Sequence, residues 1–168
     1  ETVLEKQAAP GSRRLAITAG YYAACLAFGV AGALFGPTIA GLAANTRSSL
    51  SAITYFFTAT SLGYLVGSIL GGRLLDRLPG HRLLAGVLLA IGAALAVIPL
   101  IPALWLLLLV GAALGLAEGA LDVGLNALLV WVHGRRVGPY MNGLHFSFGL
   151  GAFLSPVIVA QVMGITEG

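Results

Sequence analysis

The stretch from Trp105 to Val132 most constrains what this chain can become. It is largely apolar, and as a helix its 28 residues would rise about 42 Å, more than the ~30 Å hydrocarbon core of a bilayer. Near its centre stand Glu118 and Asp122, followed by Asn126. At ~100° per residue the spacing i, i+4, i+8 drifts by only about 80°, so both carboxylates and the amide are expected on one wall. Lipid cannot face that wall, because a carboxylate at mid-bilayer costs a few kcal/mol (~3 on insertion scales). The wall is therefore expected to look onto a water-filled or protein-lined cavity, as substrate and ion pathways do. Gly111, Gly115 and Gly119 repeat every four residues on an adjacent face, a smooth groove that lets another helix approach closely.

The rest of the chain agrees with a bilayer setting. It is 58% hydrophobic and 9% charged, with a mean hydropathy of +0.96, values that belong to an integral membrane protein; a plasma or inner membrane is the expected location. Its net charge of +3 sits between apolar runs, where basic residues set topology, so nucleic acid is not an expected partner. Cys25 is the single cysteine and lies inside an apolar run, which excludes an intrachain disulfide and favours a small core residue. No metal-ligand spacing, nucleophile pair or phosphate-cradling loop appears, so neither an enzyme nor a cofactor is expected.

Taken in order, residues 1–12 read as a mobile cytoplasmic tail, 13–164 as an all-α transmembrane bundle and 165–168 as a polar end. Five helices are expected at about 15–44, 50–75, 83–100, 103–132 and 137–163. The first carries a kink at Gly36-Pro37, and Ser48, Ser49 or Ser51 can cap the second. Ala59, Gly63, Gly67 and Gly71 give the second helix its own close-packing seam. Tyr21 and Tyr22 of the first helix are candidates to line the cavity. In the fifth, Asn142, His145, Gly149, Ala152 and Pro156 fall on one face, which makes Asn142 and His145 cavity candidates as well. Lys6, Arg13, Arg14, Arg73, Arg77, Arg82, Arg135 and Arg136 fall on one side of this topology and Arg47 alone on the other. That imbalance predicts a cytoplasmic amino terminus. Five helices make only part of a cavity-forming bundle, so a missing carboxy-terminal half or a second chain is expected to complete it.

Between the second and third helices lies Gly72, then Asp76-Arg77, then Gly80 and Arg82. This loop resembles the signature between helices 2 and 3 of the major facilitator superfamily, with Pro79 as a one-residue insertion. The resemblance implies that Gly72, Asp76, Arg77, Gly80 and Arg82 form a conformational latch at the cytoplasmic helix ends. Gly119-Ala120-Leu121-Asp122 with Asn126, Gly138-Pro139-Tyr140-Met141-Asn142 and Leu144-His145-Phe146-Ser147-Phe148-Gly149 resemble the fucose permease and sodium-dependent glucose transporter branch of that superfamily. The resemblance covers the amino-terminal half of such a transporter and gives Asp122 the place of a coupling acid. The acid that fucose permeases carry in helix 1 has no counterpart in residues 32–37.

Physics and resemblance together lead to an ion-coupled secondary transporter of a small neutral polar solute, a sugar in first place, working by alternating access. Asp122 and Glu118 are the ion-coupling candidates, since two carboxylates one turn apart in a low dielectric do not both ionise easily. The coupling ion is H+ or Na+. The expected partners are the solute, membrane lipid and the completing half. The alternatives are a non-transporting membrane subunit or assembly scaffold and, within the same superfamily, a drug or lipid exporter.

Overall fold

A computed structural model describes residues 11–166, which form an all-α bundle, 91% helical and without strands among the described residues. A bilayer offers backbone groups no water, so a spanning segment must close its hydrogen bonds internally, and apolar runs of this length do so as helices. The elements are α1 (Gly11–Ala33), α2 (Phe35–Asn45), α3 (Leu50–Ile53), α4 (Tyr55–Leu75), α5 (Gly80–Val97), α6 (Leu104–His133) and α7 (Gly138–Thr166). Single 3-10 turns, Ile98–Leu100 and Gly134–Arg136, follow α5 and α6. Among the described residues, five segments are long and apolar enough to cross a membrane: Gly11–Ala33, Leu50–Leu75, Gly80–Leu100, Leu104–Arg136 and Gly138–Gly164.

Of the tail expected over 1–12, residues 1–10 lie outside the described residues, while Gly11 and Ser12 belong to α1. Of the end expected at 165–168, residues 167–168 lie outside them, and α7 runs on to Thr166. The helix break at Gly36-Pro37 falls at Leu34. Pro37 has no N–H to give the Ala33 carbonyl and its ring crowds that carbonyl, so the turn between them yields and α2 restarts at Phe35. Ser49 caps α3, its Oγ accepting the Ala52 N–H at 3.2 Å. The Asn45 amide donates to the carbonyls of Pro99 (3.0 Å) and Ile101 (2.9 Å), tying the loop after α2 to the turn before α6. At the other end α5 starts at Gly80, earlier than 83, because the Pro79 carbonyl accepts the N–H groups of Arg82 (2.9 Å) and Leu83 (3.1 Å) and so begins the helix.

Two parallel helix pairs make the interior. Along α4, Gly63, Gly67 and Gly71 lie against the backbone of Ala112, Leu116 and Ala120. In return Gly111, Gly115 and Gly119 of α6 face Phe56, Thr60 and Tyr64. A Cβ at Gly67 or Gly115 would fall onto the carbonyl oxygen of Leu116 or Thr60, so no other residue permits this approach. The contact matters because lipid tails are as apolar as leucine, which leaves close packing to hold helices together. α1 and α7 pair in the same way: Gly29 lies against the Phe148 carbonyl, Gly151 against the Leu26 carbonyl, and Ser155 Oγ donates to the Val30 carbonyl at 2.9 Å. Leu107, Leu114, Leu121, Leu125 and Leu129 are fully buried, which makes α6 the element that α1, α4 and α5 pack around.

Candidate functional site

The glycine seam between α4 and α6 decides where the acids sit. Gly119 lies against the Tyr64 carbonyl and Ser68, and that approach brings the Tyr64 side chain across to α6. The Tyr64 hydroxyl donates to Asp122 Oδ2 at 2.6 Å. The Asn126 amide donates to Asp122 Oδ1 at 3.0 Å and to the Asp122 backbone carbonyl at 2.9 Å. Ser68 Oγ donates to the Tyr64 carbonyl at 2.9 Å, one turn away on α4. Asp122 and Asn126 are half-buried, so the carboxylate keeps an approach from outside the bundle.

Glu118 sits differently from the expectation of a shared open wall. It is only 6% exposed, and its Oε1 has no hydrogen-bond partner among the described residues. Four residues turn a helix by about 400°, so Glu118 is rotated some 40° from Asp122, enough to carry it from the open side into the interior. An orphaned buried acceptor costs ~1–3 kcal/mol, and more if it is charged. One helical turn separates Glu118 from Asp122, and Tyr64 bonds Asp122, which groups the three side chains. Chemically, the cluster is a set of oxygen donors with an approach from one side and one oxygen still unsatisfied.

The other candidates are distributed elsewhere. Tyr21 is buried, with its hydroxyl 3.0 Å from His81 Nε2 and the two rings stacked. Tyr22 donates to the Tyr140 carbonyl at 2.8 Å. Both tyrosines thus join helices through their hydroxyls. A parallel tie runs from α1 to the end of α6: Thr18 gives its one proton to the Arg14 carbonyl (2.9 Å), so His133 Nε2 donates to Thr18 Oγ1 at 2.7 Å, and the His133 ring stacks on Tyr140 at 3.5 Å. Asn142 and His145 are exposed on α7 and make no hydrogen bond among the described residues. α7 turns Leu144, Ser147, Gly151 and Ser155 inward, and its polar face points away from that packing. In the loop, Asp76, Arg77 and Arg82 are exposed and unpaired among the described residues, Gly72 is half-buried, and Gly80 lies against the Leu128 side chain. Tyr64 was not legible as a site residue from composition; its signal is position, between Gly63 and Gly67 on the face that meets the acid-bearing helix.

Comparison with known proteins bears on what such a bundle is. The family model described as Major Facilitator Superfamily matches residues 20–166. The chain belongs to the major facilitator superfamily. The superfamily chain is similar to the protein named Sodium-dependent glucose transporter 1 of Danio rerio, with 37% identity over 142 residues, 84% of this chain and 24% of that protein. The protein of that name from Homo sapiens is 36% identical over 144 residues, 86% of this chain and 28% of its own length. Major facilitator superfamily domain-containing protein 4A of Pongo abelii is 38% identical over 148 residues, 87% and 29%. The chain spans about a quarter to a third of the length of the curated relatives it matches. No solved structure matches it. Membership of this superfamily, with five apolar helices, makes it an integral membrane protein of a transporter family and not an enzyme.

Proposed function

We propose that this chain forms a half, or a fragment of a half, of a sodium-coupled carrier of a small neutral polar solute, a sugar in first place, that works by alternating access with the completing sequence or a second chain. The observation that carries the reading is Asp122, held near the middle of the longest helix by the Tyr64 hydroxyl and the Asn126 amide, with no cationic partner among the described residues. A carboxylate at that depth needs a positive charge or a proton, and a carrier takes that charge from its coupling ion. Sodium is favoured over the proton because relatives of this chain carry the name sodium-dependent glucose transporter. The donor set suits it: Asp122, Glu118 and the Asn126 amide offer the oxygen ligands that hard cations take. Neutral hydroxyls suit the same walls, since carboxylates and amides accept and donate to them without a charged partner. The positive-inside count supports a cytoplasmic amino terminus, in a plasma or inner membrane.

The test is radiolabelled glucose uptake into proteoliposomes holding the chain together with its completing half. An inward sodium gradient drives accumulation above equilibrium, and an equal potassium gradient does not. Accumulation that follows potassium or a pH gradient equally well contradicts sodium coupling. A chain that binds its partner but moves no solute under any gradient supports the scaffold alternative instead.

A further inference from the structure

We propose that the groove between α4 and α5 binds one anionic phospholipid from the leaflet at the arginine-bearing end of the bundle. The groove holds about 530 Å3 and its lining is almost wholly apolar. Leu70 and Leu74 form one wall, Leu83 and Val87 the other, and Ala117 and Ala120 of α6 the floor, where the small side chains leave room. Arg82 stands at its mouth beside Pro79.

Depth identifies the occupant. The lining runs along the chain from Pro79 to Ala90, 11 residue steps that rise about 16 Å as helix. Half of a ~30 Å hydrocarbon core is about 15 Å. The groove therefore begins at the helix ends and stops near the bilayer midplane, which fits an acyl chain of one leaflet and not a crossing helix. Charge identifies the headgroup. Arg73, Arg77 and Arg82 are exposed at this end and unpaired among the described residues, with Asp76 the acid beside them. A guanidinium at the hydrocarbon boundary matches phosphate oxygens through paired N–H donors. Under the positive-inside orientation these arginines face the cytoplasmic leaflet, where anionic lipids concentrate and basic pockets between helices hold their headgroups. The site is separate from Asp122, so its test is independent of the transport reading.

The experiment places the purified chain in phosphatidylcholine nanodiscs carrying a minor fraction of phosphatidylglycerol and counts retained lipid by native mass spectrometry. Wild type keeps phosphatidylglycerol in preference to phosphatidylcholine. Arg82→Gln lowers that retention about fivefold, the effect of removing one arginine near an anionic surface, and Arg82→Lys restores most of it. Gly86→Leu fills the groove and abolishes retention; a Cβ at Gly86 meets nothing within 4 Å, and an unchanged unfolding midpoint of the variant shows that its fold is kept. Equal retention by wild type, Arg82→Gln and Gly86→Leu overturns the proposal. So does wild-type retention without preference for the anionic lipid, or a photoreactive residue at Ala90 that cross-links to a second copy of the chain instead of lipid.

Discussion

Tyr64 on α4 donates to Oδ2 of Asp122 on α6 at 2.6 Å, across the seam where Gly119 lies against the Tyr64 carbonyl. Packing and chemistry are coupled at this point: missing side chains set the distance between two helices, and that distance sets the carboxylate's place. Tyr64 therefore positions the Asp122 carboxylate, and in the proposed carrier it is expected to act through that carboxylate on the coupling ion. Tyr64→Phe removes one hydrogen bond to a charged acceptor, worth ~1.5–3 kcal/mol, and is expected to raise the half-saturating sodium concentration at least about tenfold. The maximal uptake rate should change much less. Unchanged sodium dependence in uptake assays would remove Tyr64 from the site.

The seam itself is tested by stability. A Cβ at Gly115 would overlap the Thr60 backbone, whereas one at Gly92 on α5 meets nothing within 4 Å. Gly115→Ala should destabilise the bundle by ~1–3 kcal/mol as the helices are forced apart. Gly92→Ala should be neutral or stabilising by about 0.5–1 kcal/mol. Thermal unfolding in detergent gives both values, and equal effects at the two sites would contradict the interlocked seam.

Much of this architecture is written in the sequence, because helical periodicity puts it there. Five apolar runs and two rows of small residues at four-residue spacing can be read directly. Which row meets which cannot, since that is a property of two helices at once. A third row, Gly143, Ser147, Gly151 and Ser155, has the same spacing, and it decides that α7 packs on α1 and leaves Asn142 and His145 on its outer side. Polar residues nearby obscure it. The acids show the limit from the other direction: four-residue spacing places Glu118 and Asp122 on neighbouring faces, but a rotation of about 40° separates a buried carboxyl from an approachable one. Tyr21 and Tyr22 read alike as cavity residues, and only their partners, His81 and the Tyr140 carbonyl, show them joining helices.

Asp76 tests the latch. It is exposed and unpaired among the described residues, so Asp76→Asn should leave the unfolding midpoint of this chain unchanged. In the assembled carrier it should slow transport more than it weakens solute binding. Lost binding with unchanged exchange rates would rule out a latch in this loop.

Orientation follows from the distribution of basic residues and is open to direct labelling. Ser12 and Ser51 are exposed, and the native Cys25 is buried, which keeps background low. Ser12→Cys should react with an impermeant maleimide only from the cytoplasmic side, and Ser51→Cys only from outside. The reverse pattern would invert the topology.

The coupling role of Asp122 is tested most directly by uphill glucose uptake under an imposed sodium gradient, in proteoliposomes holding the chain with its completing half. Wild type, Asp122→Asn and Glu118→Gln are compared. Asp122→Asn keeps the size of the side chain and removes the charge proposed to bind the ion, so accumulation should fall to the equilibrium level while solute exchange persists. Glu118→Gln, which changes a buried carboxyl beside the site, should reduce accumulation without abolishing it. Accumulation by Asp122→Asn equal to that of wild type would contradict the account.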